Sequence, residues 1–156
     1  MENKQEQIEL GYRISRIYTT KFTFEDFSEE ELDNVLNKSD NLNIIIHTFL
    51  NIENEKSMVN LDVISQLVEK ENEKSLVEHS GRTSFEFIGL EGYYNKERDV
   101  YDLPDNVAIQ IYSIAYTHAR ALLAVETSRT VYKDKYFLPV IDPNLLIQAR
   151  DNEKLE

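Results

Sequence analysis

The sequence predicts an α+β fold, with a four-stranded antiparallel sheet followed by a long helix and a short C-terminal helix. Two observations support this prediction. Apolar and polar residues alternate in four successive segments of residues 8–90, and apolar residues recur at three-to-four spacing after Pro104. Strands that precede the helices in chain order are typical of proteins whose helices pack on one face of a sheet.

The first strand alternates from Ile8 to Ile14. The apolar residues up to Ile14 occupy even positions, but Ile17 is at an odd position, and Phe22 and Phe24 are again at even positions. The alternation therefore changes phase within the strand. One extra residue re-aims the side chains that follow it, so we expect a β-bulge between residues 15 and 20.

The acidic segment 28–40 fits either a short helix capped by Ser28 or a solvated loop. Short polar loops then separate three further strands, which we expect at 42–52, 58–68 and 76–90. Consecutive strands joined in this way are typical of an antiparallel meander. Gly81 lies inside the fourth strand and indicates another bulge.

Pro104 is predicted to open the long helix, because proline is favoured in a first helical turn. The stripe of this helix that we expect to face the sheet contains Val107, Ile111, Ile114 or Ala115, His118, Leu122 and Val125. Pro139 keeps the apolar segment 137–141 extended. Asp142 and Pro143 then provide the cap and the first residue of the C-terminal helix.

Composition indicates a single soluble, cytoplasmic domain over residues 1–156, with frayed tails at 1–7 and 151–156. The net charge of −12 repels phosphate backbones, so we expect no nucleic-acid partner. The chain has no cysteine, which excludes disulfides and thiolate chemistry. It also has no apolar run of membrane-spanning length, and its polar N-terminus does not resemble a secretory signal.

The residue types used in catalysis are present without the spacing that catalysis requires. His47, His79 and His118 show no metal-ligand pattern, and we interpret them as packing or surface residues. The run Glu29–Glu31 is interpreted as a solvated face rather than an acid–base pair. The four glycines do not form a phosphate-binding loop. The sequence therefore predicts no enzyme, no metal and no cofactor.

Aromatic residues are concentrated near irregular segments. The chain has nine tyrosines and seven phenylalanines but no tryptophan. Such side chains supply large apolar contact areas, so they either line a groove for extended apolar chains or pin loops to the sheet. The candidates for contact with a bound polypeptide are Phe22, Phe24, Tyr93, Tyr94 and Phe137.

The second strand predicts self-association as a homodimer or homotetramer. Ile44 and Ile46 lie on one of its faces, and Ile45 and Phe49 lie on the other. A strand that is apolar on both faces is usually buried on both. In the long helix, small residues would allow a partner helix to approach closely, and the interface candidates there are Ile111, Ala115, Ala119 and Leu122.

Four motifs in a shared order resemble the SecB family of protein-export chaperones. They are Ile14-Ser15-Arg16-Ile17-Tyr18-Thr19, the segment from Phe85 to Gly92, Ala119-Arg120, and Leu138-Pro139-Val140 before the last helix. The resemblance covers about residues 8–148. It implies a dimer of dimers that binds unfolded precursor polypeptides without ATP, and an acidic surface would favour basic clients.

The resemblance also implies the export motor SecA as a partner, docking on a patch to which Glu25, Leu76 and Glu78 correspond. Two residues depart from the family pattern. Lys21 stands at an acidic position of that patch, and Ala121 stands where the family has glutamate after Ala119-Arg120. These departures indicate a divergent branch, in which the fold transfers better than the function.

Three functions are therefore distinguished. The first is a SecB-like holdase for unfolded chains. The alternative is a dedicated partner-binding or adaptor protein on the same scaffold, such as a toxin–antitoxin-associated chaperone. An enzyme is the third, and it would require a polar pocket with convergent titratable groups.

Overall fold

A computed structural model describes residues 10–153 and confirms the predicted fold class. The helices and strands are β1 (Gly11–Phe24), α1 (Glu29–Leu36), β2 (Leu42–Glu53), β3 (Met58–Glu69), β4 (Lys74–Ile88), β5 (Tyr94–Asn95), β6 (Val100–Tyr101), α2 (Asp105–Thr127) and α3 (Pro143–Glu153). None of these helices combines the length and the apolar character needed to cross a membrane. The predicted strand start at Ile8 and the predicted tails at 1–7 and 154–156 lie outside the described residues, and 151–153 fall in the last turn of α3.

The sheet is antiparallel with strand order β1-β4-β3-β2. Only β2, β3 and β4 therefore form the predicted meander, and placing β1 beside β2 is wrong. Short turns join β2 to β3 and β3 to β4, whereas the longer connection 25–41 carries the chain from β1 to the opposite edge and contains α1. The sheet thus has two edge strands, β1 and β2.

The predicted bulge in β1 is confirmed, and a second one accompanies it. The register of β1 against β4 shifts between Ile14 and Arg16 and again between Thr19 and Lys21. These two shifts account for the change in apolar phase along the strand.

The bulge predicted at Gly81 is not in β4, because Gly81 and Ser80 pair with Val63 and Ile64 without a shift in register. The extra residue lies opposite Gly81 in β1, where the register shifts between Thr19 and Lys21. The glycine serves the contact between sheet and helix. A Cβ atom there would lie 3.1 Å from Leu122 Cδ1 and 3.3 Å from the Cα atom of Ala119. Gly81 therefore lets the backbone of α2 lie close against β4.

The helix α1 is one of the two alternatives that the sequence left open. Ser28 Oγ accepts a hydrogen bond from the Glu31 amide at 3.2 Å, and the Glu31 carboxylate accepts one from the Ser28 amide at 2.8 Å. This reciprocal capping box satisfies two free amides of the first turn. Leu32 anchors the helix to the core and is fully buried.

The buried face of α2 differs from the predicted stripe at its C-terminal end. Leu123 is buried, whereas Val125 is 68% exposed. The buried face is rotated relative to the predicted stripe because Tyr112 and Tyr116 insert their rings into the core. Three short buried side chains allow the helix to lie close to the sheet, namely Ala108, Ala115 and Ala119.

One face of the sheet is covered by α2, and we call the other the outer face. Because Gly81 contacts α2 and pairs with Val63, the buried residues Val59, Leu61 and Val63 lie on the covered face. The outer face carries a two-pronged ion pair from Arg82 to Asp62, with N–O distances of 2.6 and 2.7 Å. The core therefore lies between the sheet and α2.

Candidate functional site

The segment between α2 and α3, together with the first turn of α3, exposes large apolar side chains beside a depression in the surface. Phe137 is 54% exposed, Val140 is 81% exposed and Leu145 is 56% exposed. Apolar side chains of this size normally avoid water when a neighbouring surface can cover them. Their grouping beside one helix face makes this region the first candidate for binding.

Two adjoining hollows lie between residues 113–121 of α2 and residues 137–146, and together we call them the α2 groove. One has a volume of about 300 Å³ and is lined by Thr117, Arg120, Ala121, Phe137 and Leu138. The other has a volume of about 180 Å³ and is lined by Ser113, Tyr116, Thr117, Arg120, Val140, Ile141, Pro143 and Leu146. Thr117 and Arg120 belong to both hollows, so the groove is continuous along one side of the helix.

The far wall of the groove is an extended segment fastened to α2 by its backbone. Tyr116 donates a hydrogen bond to the Pro139 carbonyl at 2.6 Å, and Arg120 Nε donates one to the Leu138 carbonyl at 3.1 Å. The Leu138 side chain is buried beneath the segment. Phe137 and Val140 are therefore presented on a held backbone rather than on a loose loop.

Burial raises the pKa of both tyrosines under the groove, Tyr116 and Tyr136. Their hydroxyl groups therefore stay protonated at neutral pH. The Tyr116 hydroxyl donates to the Pro139 carbonyl, whereas the buried Tyr136 hydroxyl has no hydrogen-bond partner among the described residues. Asp142 stabilises the start of α3, where the extended segment ends. Its carboxylate accepts a hydrogen bond from the Asn144 backbone amide at 2.9 Å. This bond confirms the predicted cap of the C-terminal helix.

The five aromatic candidates for polypeptide contact occupy three separate places, and only Phe137 lies in the α2 groove. The sequence did not single out Val140, which also lines the groove, or Leu145, which is exposed in the first turn of α3. The signal was available, because Pro139 and Pro143 mark an extended apolar segment that no strand partner covers.

Phe22 and Phe24 form an aromatic cluster at the end of β1. Their rings stack with centroids 5.4 Å apart, and Phe24 meets the edge of Tyr132 at 6.1 Å. The Tyr132 hydroxyl donates to the carbonyls of Glu25 and Leu76 at 3.0 and 3.3 Å. Phe24 is still 42% exposed, so the cluster both pins the strand end and leaves one ring accessible.

Tyr93 and Tyr94 lie in and beside the small β5–β6 hairpin that precedes α2. The Tyr94 hydroxyl donates to Asp99, and its ring packs on Tyr101 with centroids 5.1 Å apart. This arrangement matches the alternative in which aromatic residues pin an irregular segment.

The residues that correspond to the SecA patch do not form a free acidic surface. Glu25 pairs with Lys74 at 2.8 Å, and Glu78 pairs with Lys21 at 2.8 Å. Leu76 is only 1% exposed. Two charges are thus neutralised within the chain, and the apolar member lies out of reach of a partner.

Three of the four helix residues predicted to contact a second copy pack inside the protomer. Ile111, Ala115 and Ala119 are each at most 1% exposed, and Leu122 is half-buried beside Gly81. The exposed apolar residues of this helix are instead Ala121 and Val125.

The two edge strands of the sheet differ in their protection against pairing with another chain. The edge strand β1 contains Arg13, Arg16, Lys21 and two bulges, which are features that discourage pairing. In contrast, β2 carries no Asp, Glu, Lys or Arg between residues 42 and 52. Phe49, 60% exposed on the outer face, and Ile44, 38% exposed on the covered face, leave both sides of β2 partly open.

Two of the histidines belong to the core between sheet and helix. His79 Nε2 lies 3.1 Å from Thr19 Oγ1, and His118 Nδ1 lies 3.0 Å from Thr83 Oγ1. Burial lowers the pKa of His79 to about 4 and also lowers that of His118. Both rings are therefore neutral packing residues at pH 7, and His47 is exposed on β2.

The sequence matches no protein-family model and no curated protein. Solved structures do match. The chain is similar to a SecB-like chaperone of Mycobacterium tuberculosis, solved in complex with a peptide from an antitoxin, at 11% identity and a TM-score of 0.49, over 83% of this chain and 90% of that one. It is also similar to a protein of unknown function from Streptococcus agalactiae, at 11% identity and a TM-score of 0.32, over 85% and 98% of the two chains.

Proposed function

We propose that this chain is an ATP-independent holdase, which binds short extended segments of non-native polypeptides in the α2 groove. The observation that carries the proposal is the groove itself, which presents Phe137 and Val140 to solvent on a backbone held by Tyr116 and Arg120. Binding by contact alone needs no bond to be made or broken, so the proposed protein is not an enzyme and uses no cofactor.

Apolar area supplies the binding free energy in this proposal. Each Å² of apolar surface removed from water contributes about 25 cal/mol.

The length of the groove sets the length of the segment that it can bind. Residues 113–121 of α2 span about 12 Å, because a helix rises about 1.5 Å per residue. An extended chain covers that distance with about four to five residues, since a strand rises about 3.3 Å per residue. The groove therefore fits one short segment of a client.

A client aggregation assay tests this proposal. A denatured client should aggregate more slowly in the presence of the protein, without any nucleotide, and Val140→Ser should weaken the protection. Ile88→Ser is the matched control, because Ile88 is 74% exposed but lies at the end of β4, outside the groove. A client that aggregates at an unchanged rate with a several-fold excess of the protein would contradict the proposal.

The second candidate function is a dedicated partner-binding protein, such as a chaperone for one antitoxin. The short span of the α2 groove favours it, because a site for about one segment suits a single recognised peptide. The number of proteins that co-purify with the chain separates the two functions. One dominant partner indicates a dedicated protein, and many unrelated nascent chains indicate a general holdase.

We also propose that the protein acts in the cytoplasm as a homodimer or homotetramer. The uncharged edge strand β2, with Phe49 and Ile44 exposed on opposite faces, supports self-association. Docking of SecA stays a prediction of the resemblance, and the ion pairs of Glu25 and Glu78 count against it.

A further inference from the structure

Arg120 is the only cation that lines the α2 groove among the described residues, and it lies where the two hollows meet. Its side chain is half-buried. Arginine carries five N–H donors in a planar fork, of which Nε–H is used by the Leu138 carbonyl. In the part of the chain that the structure describes, the terminal guanidinium nitrogens have no protein acceptor.

Other cations of this acidic protein are either paired or exposed to water, as Arg129 and Lys133 are. Ion pairs join lysine or arginine to a carboxylate elsewhere on the surface, for example Arg82 with Asp62 and Lys135 with Asp33. No carboxylate among residues 10–148 lies within ion-pair distance of Arg120. The walls around it are apolar or carry hydroxyl groups, so the guanidinium is partly withdrawn from water without a counter-charge.

We propose that Arg120 binds the side-chain carboxylate of an Asp or Glu in the bound polypeptide. The groove would thus select extended segments in which one acidic residue is flanked by apolar residues. This inference rests on the proposed polypeptide-binding function and adds a specificity to it. An arginine fork fits a carboxylate with two parallel hydrogen bonds, which are stronger than bonds between neutral groups.

The spacing of the preferred segment follows from strand geometry. In an extended chain, side chains two residues apart point to the same side and lie about 7 Å from each other. An acidic residue opposite Arg120 therefore directs the residues two positions before and after it toward the two hollows. The pattern apolar-x-acidic-x-apolar spans about 13 Å, close to the length of the groove.

The opposite preference would follow from net charge alone. A chain of net charge −12 attracts basic segments over long distances. Contact with Arg120 acts at short range in a partly desolvated groove, where screening by salt and water is weaker. The preference for an acidic centre is thus a property of the groove and not of the whole surface.

Short peptides with capped ends test the inference directly. They carry leucine two positions on either side of a central Asp, Asn or Lys, and their affinities are measured by fluorescence anisotropy. We expect the Asp peptide to bind about tenfold more tightly than the Asn peptide, since a charge-assisted pair contributes more than a neutral hydrogen bond. Raising the salt concentration should reduce this ratio only slightly, because a partly buried pair is screened less than an exposed one. The Asn peptide is also measured without capped ends. If it then binds more tightly than the capped Asn peptide, while the capped Asp peptide does not, the groove binds a chain terminus, and the assignment to side chains is overturned.

The variant Arg120→Gln keeps a donor for the Leu138 carbonyl but removes the charge. It should bind the Asp peptide no better than the Asn peptide, because the charge that distinguishes the two is gone. Equal affinities of the original protein for Asp and Asn peptides, or tighter binding of the Lys peptide, would overturn the inference while leaving the proposed function intact. Failure of every peptide to bind would overturn both. If Arg120→Gln does not fold, the Asp-to-Asn ratio of the original protein still decides the question.

Discussion

Removal of the Phe137 ring should weaken polypeptide binding by an amount that its exposed area sets. A phenylalanine buries about 200 Å² when fully covered, and the 54% of Phe137 that is exposed corresponds to about 110 Å². At about 25 cal/mol per Å², complete coverage of this area by a client contributes about 2.7 kcal/mol. An extended segment that covers half of it gains about 1.4 kcal/mol, which is a factor of about ten in affinity.

The test compares Phe137→Ser with Ile88→Ser. Affinity for a labelled unfolded segment is measured by fluorescence anisotropy, and thermal unfolding shows whether each variant is folded. We expect Phe137→Ser to lose about tenfold in affinity and Ile88→Ser, which lies outside the groove, to lose less than about twofold. Equal losses in the two variants, or an unchanged affinity for Phe137→Ser, would refute the reasoning.

Three further predictions concern the core and the edge of the sheet. The pKa of His79 is lowered to about 4 by burial, so only the unfolded chain takes up the proton between about pH 6.5 and pH 4. Stability should therefore fall by up to about 3 kcal/mol as the pH falls through that window. His79→Gln should reduce this loss in denaturant titrations, and an identical pH dependence of the variant would contradict the argument. Gly81→Ala should lower the free energy of unfolding by about 1–3 kcal/mol, because the new methyl group meets Leu122 and the α2 backbone; an unchanged unfolding midpoint would show that the helix shifts at no cost. Phe49→Lys should lower the mass found by light scattering while Ile88→Lys does not, and a monomeric original protein would rule out self-association.

The local pattern of the sequence predicted the elements well. The phase change predicted one bulge in the part of β1 that contains two, and Ser28 and Asp142 marked two helix starts that the structure contains. These features depend on residues close in sequence, so the chain itself carries the information.

The contacts between distant segments were harder to predict. The sequence predicts a bulge at Gly81, whereas the bulge lies opposite it in β1. The close approach of Ala119 and Leu122, which this glycine allows, comes from a distant helix. The pairing of β1 with β4 is a second example. It depends on the path of the connection 25–41, and the alternation of apolar and polar residues within strands carries no information about that path.

The candidate site was predicted in part for the same reason. Phe137 was identified from its place in an irregular aromatic segment, but Phe22 and Tyr94 share that property and lie elsewhere. What separates them is the groove that Arg120 and Tyr116 create by holding the extended segment against α2.

Nuclear magnetic resonance mapping of a bound client tests the central claim most directly. An unfolded segment is titrated into the isotopically labelled protein, and the backbone amides that respond are assigned. Polypeptide binding in the α2 groove predicts the largest changes at Thr117, Ala121 and Val140, with little change at Ile88. Changes confined to the outer face of the sheet, or no changes at saturating client, would contradict it.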